Sequence, residues 1–149
     1  MKNYIFNTNS EIETKRLAHK LALLLKPGDV LTLEGDLGAG KTTFTKGLGQ
    51  ALGIERTINS PTFTIMKQYN GEINLYHIDA YRLEDSEDDI GLEEYLPSDG
   101  ITVVEWAVFI EDLLPDERLN IKIEYQSENE RKITFQPIGN YFNLICREL

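Results

Sequence analysis

The stretch "LEGDLGAGKTTF", Leu33 to Phe44, sets three glycines, a lysine and two threonines directly behind the apolar run "DVLTL". Gly35, Gly40, Lys41 and Thr42 satisfy G-x-x-x-x-G-K-[ST], with an apolar strand entering the loop and a helix leaving it. Glycines allow the backbone to turn its N–H groups inward around phosphate oxygens, and a helix N-terminus adds partial positive charge. In such a loop Lys41 reaches the β and γ phosphates, and Thr42 offers its hydroxyl to magnesium. The stretch therefore reads as a nucleotide phosphate loop between a strand and a helix.

The flanking sequence supplies the rest of an α/β fold. "NYIFN" reads as a short first strand, and "SEIE" as a capping box in which Ser10 caps a helix and Glu13 reaches back. Leu17, Leu21, Leu24 and Leu25 share one face of that helix, and Pro27-Gly28 ends it before "DVLTLEG". Behind the loop, Phe44, Leu48 and Leu52 recur at helical spacing until Gly53 supplies a C-cap. "TFTIMKQY", Asn70-Gly71 and "EINLYHID" predict two strands joined by a two-residue type I′ hairpin. "SEDDIGLEEYL" reads as an acidic helix capped by Ser86 and ended at Pro97, followed by "ITVVEW", a strand apolar enough to lie buried in the sheet interior. "AVFIEDLL" predicts a helix, "RLNIKIEY" and "RKITFQPI" a strand pair around "QSENE", and "YFNLICREL" a closing helix. No linker or repeat interrupts the chain, so residues 1–149 read as one domain.

A magnesium-holding acid belongs at the end of an apolar strand beside the phosphate loop. Glu105 ends "ITVVE", the most apolar strand, and Asp79 ends the half-polar "INLYHID". Burial of "ITVVE" favours Glu105, with Asp79 as a further acid of the site. His77 falls on the same strand face as Asp79 and either orients that carboxylate, polarises a water or is a satisfied structural residue.

Composition narrows the classes further. A chain of 149 residues buries about 70% of its unfolded surface, enough for one substantial core. The 25 acidic residues outnumber 15 basic ones, and a formal charge of −10 opposes independent binding of a nucleic-acid backbone. "LALLL", Leu21 to Leu25, is far too short to span a membrane, and Glu11 and Glu13 stand where a leader would be basic. The single Cys146 excludes an internal disulfide and fits a reducing cytoplasm, so a cytoplasmic protein without membrane association is expected.

"GDLGAGKTTF", "SPTF" (Ser60 to Phe63), "HIDAYRL" (His77 to Leu83) and "VEW" (Val104 to Trp106) together resemble the TsaE family, also called YjeE, in order and spacing over most of the chain. These are bacterial ATPases of tRNA threonylcarbamoyladenosine biosynthesis. The resemblance implies a P-loop three-layer α/β sandwich whose mixed sheet has a parallel core extended by antiparallel strands. It implies ATP and Mg2+ as cofactors, ATP hydrolysis that is slow without partners, and the proteins TsaD and TsaB as those partners, with tRNA reached only through the complex. By position, Gly38, Ala39, Gly40, Lys41, Thr42 and Thr43 bind phosphates, Thr42 and Glu105 hold magnesium, and Lys41 and Asp79 serve catalysis. Ser60 and Thr62 lie in a segment like a switch loop, Trp106 follows the metal acid, and Thr8 is placed to touch the nucleotide base. The part of the chain from about Leu113 matches no motif of the family and is read as sheet completion.

Two rivals share parts of this pattern. A small GTPase needs DxxG after an apolar strand and NKxD for guanine; "DDIG", Asp88 to Gly91, lies in the acidic helix, and NKxD is missing. A small-molecule P-loop kinase shares loop and size but needs several arginines over the transferred phosphate, for which Arg82 is the obvious candidate; its other reading is a salt bridge to Asp79 or Glu84.

Overall fold

The computed structural model describes residues 2–36, 38–59, 66–83 and 99–149. The expected Ser86–Pro97 helix, the Ser60–Phe63 segment and Asp88–Gly91 lie outside the described residues.

Strand β1 (Tyr4–Thr8) leads into helix α1 (Glu11–Leu24). Ser10 caps α1 by accepting the Glu13 N–H at 3.1 Å, and Glu13 Oε1 in turn accepts the N–H of Asn9 at 3.0 Å. The box thus closes one residue earlier than its usual form, on the residue before the cap. Leu17 and Leu21 are buried, Leu24 packs partly against the core, and the helix ends ahead of Pro27, whose ring crowds the preceding residue out of the helical region.

Strand β2 (Val30–Glu34) then enters the glycine loop, which delivers the chain into helix α2 (Lys41–Ala51). Strands β3 (Met66–Tyr69), β4 (Asn74–Asp79), β5 (Gly100–Glu105), β6 (Arg118–Tyr125) and β7 (Arg131–Ile138) follow, and helix α3 (Asn140–Arg147) closes the chain. Among the described residues one seven-stranded sheet forms, in the order β1-β7-β6-β2-β5-β4-β3. β6, β2, β5 and β4 run parallel, while β3, β7 and β1 are added antiparallel. The expected mixed sheet with a parallel core is therefore present, and β5 is buried along its length inside it.

Side-chain alternation gives the sheet two working faces. Leu31, Leu33, Ile101, Val103, Leu119 and Ile121 join the large core under the three helices. Val30, Ile78 and Val104 form a smaller cluster on the opposite face with Ile110. Phe135 anchors the large core: fully buried, it meets Phe44 edge-on at 6.1 Å and Phe6 at 5.2 Å. Truncating such a side chain to alanine costs about 3–5 kcal/mol.

Two local expectations are corrected. The β3–β4 connection is wider than a two-residue hairpin, since Tyr69 pairs with Leu75, and neither Asn70 nor Gly71 has the positive φ that a type I′ turn requires. The Ile73 N–H instead donates to the Leu52 carbonyl at 3.2 Å, so the turn is spent on capping the C-terminal end of α2. Ala107–Leu113 is a 3-10 segment broken at Ile110, not an α-helix. Trp106 before it lies in the left-handed region at φ 58°, and the segment breaks at Ile110, which leaves helical angles at φ −132° as its side chain is drawn into the smaller core.

Candidate functional site

The glycine loop lies at the C-terminal edge of parallel β2, where ligands of open α/β sheets bind. Its glycines are dictated by space and by backbone. A Cβ on Gly35 would stand 2.7 Å from the Ile123 carbonyl oxygen, while Gly38 and Gly40 adopt φ of +82° and +110°. Other residues rarely adopt such angles. Gly40 caps α2 and its carbonyl accepts the Phe44 N–H at 2.9 Å, so the helix begins directly at Lys41. Ala39 is buried, and its N–H donates to Asp36 within the loop at 2.9 Å. The loop's contribution at that position is thus backbone and packing.

Sheet register settles how the two acids relate. In parallel β4 and β5, Asp79 is the Cα partner of Glu105, and His77 that of Val103. All four face the α1–α2 side, because Leu75, Ile101 and Val103 of the same parity belong to the large core. Glu105 has only 6% of its surface exposed. Its Oε1 lies 3.2 Å from Lys41 Nζ and its Oε2 2.5 Å from His77 Nε2. An ionised carboxylate only accepts, so the proton of the second bond belongs to Nε2. Nδ1 of this fully buried histidine then has no partner among the described residues. Burial pushes the Glu105 carboxyl upward, but the hydrogen bond and charge of His77 and the charge of Lys41 overcome it, and the group sits below its ordinary value. Glu105 is therefore an anion held ready between two nitrogen donors.

His77 thus pairs with Glu105 on the next strand, and not with Asp79 as its position along β4 suggested. Asp79 is half-buried and accepts the Tyr81 N–H through Oδ1 at 3.1 Å. The Lys41 ammonium also lies 5.6 Å from the centre of the Trp106 ring. Trp106 is half exposed and packs with Tyr81 at 5.2 Å and, stacked, with Phe109 at 6.2 Å. A left-handed conformation in a non-glycine residue costs roughly 1–2 kcal/mol, and here it turns the chain so that this ring lies against the loop's lysine.

Thr42 and Thr43 open α2 beside Lys41 and are half-buried. Thr8, the last residue of β1, is buried with its hydroxyl 2.8 Å from that of Thr14. The Arg82 side chain, Ser60 and Thr62 lie outside the described residues. Sequence reading missed Arg131, at the start of β7, whose guanidinium donates to the loop carbonyls of Ala39 at 2.8 Å and Gly38 at 3.4 Å. The only trace of it in the sequence is an arginine opening a strand whose partner strand ends in an aromatic, Tyr125.

The comparisons with known proteins agree on one family. A family model described as "Threonylcarbamoyl adenosine biosynthesis protein TsaE" matches residues 8–133, most of the chain. The chain belongs to the TsaE family. A "tRNA threonylcarbamoyladenosine biosynthesis protein TsaE" of Bacillus subtilis (strain 168) is 55% identical over 100% of this chain and 95% of its own length. The TsaE of Treponema pallidum (strain Nichols) is 40% identical over 85% of this chain and 96% of its own length. The crystal structure of Bacillus subtilis YdiB superposes with a TM-score of 0.84 at 49% identity, covering 99% of this chain and 93% of that one. The α/β P-loop fold and the TsaE assignment thus stand together, and every residue of the glycine loop, with Asp79 and Glu105, lies inside the matched span. No helix among the described residues is long and apolar enough to cross a membrane.

Proposed function

We propose that the chain binds ATP with magnesium in the glycine loop and hydrolyses it as the ATPase subunit of tRNA threonylcarbamoyladenosine biosynthesis, acting with TsaD and TsaB. The observation that carries the reading is the Lys41–Glu105 contact at 3.2 Å, which joins the loop's cation to a depressed strand-end carboxylate.

Each residue then has a task. The N–H groups at the start of α2 and the positive end of its dipole receive phosphate oxygens. Lys41 exchanges Glu105 for the β and γ phosphates, a move that leaves its stem in place. Hard oxygen donors suit magnesium, and the Thr42 hydroxyl and the Glu105 carboxylate supply two without a cage of protein ligands. When bound, the ion neutralises charge gathering on the β and γ oxygens. His77 holds the Glu105 carboxylate in one orientation through Oε2, so Oε1 is the oxygen that changes partner. Asp79, its Oδ1 fixed by Tyr81, holds a water by the remaining oxygen for attack on the γ phosphorus. The water oxygen bonds to phosphorus, the bond to the ADP oxygen breaks, and the water's proton passes through Asp79 to the released phosphate.

The kinase alternative needs arginines free to cover a transferred phosphate. Arg131 stands near the loop, but its guanidinium is spent on backbone carbonyls. Steady-state ATP hydrolysis with and without added TsaB and TsaD tests the proposal. A slow rate alone that changes when both are added supports it; no hydrolysis under either condition contradicts it.

A further inference from the structure

We infer that Arg131 is a positioning residue for the glycine loop, aiming the Gly40 N–H at the nucleotide phosphate from the outer side of the loop. The inference rests on the ATP reading above. Arg131 opens β7, opposite Tyr125 of β6 and Thr8 of β1. Its guanidinium lies 4.7 Å from the centre of the Tyr125 ring. Nη1 donates to the carbonyls of Ser127 and Glu130 at 2.7 and 2.9 Å and stands 3.3 Å from that of Glu128. Nε and Nη2 reach across 92 and 93 residues of sequence to Ala39 and Gly38.

The choice of partners is informative in a chain with 25 acidic residues. Among the described residues the ion pairs are Lys41–Glu105 and His77–Glu105, so this arginine faces carbonyls and no carboxylate. One planar cation therefore bolts the β6–β7 turn to the phosphate loop, and its charge stands behind the loop without touching a ligand.

The consequence follows from peptide geometry. In a trans peptide the carbonyl of one residue and the N–H of the next point in opposite directions, and the described residues contain no cis bond. With the Ala39 carbonyl held outward by Nε, the Gly40 N–H must point inward. Glycine at φ +110° offers little resistance to a flip of that peptide plane, and a flip would turn a carbonyl toward the phosphate. Arg131 blocks the flip. Lysine cannot replace it, because a single ammonium cannot span the loop and the turn as a fork does.

The test compares wild type with Arg131→Gln, Arg131→Lys and, as a control in the same turn, Ser127→Ala, which removes only the side-chain bonds to Glu130. ATP and ADP affinities are measured by calorimetry, and hydrogen exchange of the Gly40 amide is followed by NMR on the nucleotide-free protein. Both Arg131 variants should lose about tenfold or more in affinity for both nucleotides, the scale of one charge-assisted hydrogen bond. Their Gly40 amides should exchange at an altered rate, while Ser127→Ala matches wild type in both measurements. Unchanged affinity in Arg131→Lys, a loss of turnover without loss of affinity, or an equal loss in Ser127→Ala would each overturn the inference. If wild type itself binds no ATP, the ATP reading falls, and the Gly40 exchange rate alone still decides whether Arg131 sets the loop.

Discussion

Glu105 and Asp79 are Cα partners at the ends of adjacent parallel strands, yet only Glu105 touches the loop lysine. The pair resembles two interchangeable acids in the sequence, and the register ranks them. Glu105→Gln should therefore weaken manganese binding in the presence of ATP more than Asp79→Asn does, while Asp79→Asn should depress turnover more than binding. Electron paramagnetic resonance of a manganese titration gives the order. A larger binding loss for Asp79→Asn would reverse the two roles.

His77 is buried beside an anion, and removing it leaves that charge with one partner fewer above a new void. His77→Ala should destabilise the protein by about 3 kcal/mol in urea titrations. A loss under about 1 kcal/mol would show the pairing with Glu105 to be incidental.

The same carboxylate predicts a direction for acid stability. Its folded value lies below the ordinary 4.5, so its contribution is present above 4.5 and disappears as pH falls through the lower folded value. In metal-free protein the urea midpoint should fall on acidification below 4.5, and Glu105→Gln should flatten that fall. An identical profile in the variant would place the acid sensitivity elsewhere.

How much of this was legible in the sequence depends on range. The glycine loop, the Ser10 cap and the strand pair β6–β7 were readable because each is specified by residues a few positions apart. Glu105 was favoured over Asp79 by the apolarity of its strand alone. What escaped was set by contacts between distant residues. His77 and Glu105 meet across 28 positions through sheet register, and Arg131 reaches the loop across 92. The Asn70-Gly71 signal failed because Ile73 is drawn to the end of α2, a tertiary bond that outweighs a local turn preference. The segment after Trp106 failed because helical periodicity says nothing of the break at Ile110, whose side chain is drawn into the smaller core.

The isolated chain should not grip tRNA although its family serves a tRNA modification. A formal charge of −10 opposes a phosphate backbone, and the loop cation Lys41 is already engaged by Glu105. Filter binding with unmodified tRNA at low and moderate salt should show no retention until TsaB and TsaD are added. Tight binding by the chain alone that survives moderate salt would contradict this division of labour.

An ATP site in the glycine loop requires its lysine to trade Glu105 for phosphate. Calorimetric titration of ATP with magnesium into wild type and Lys41→Ala, with circular dichroism of both, tests it most directly. Wild type should show one saturable site, lost in a variant that keeps the wild-type spectrum, and a change in fluorescence of the single tryptophan, which lies 5.6 Å from the lysine. Undiminished ATP affinity in a folded Lys41→Ala protein would contradict it.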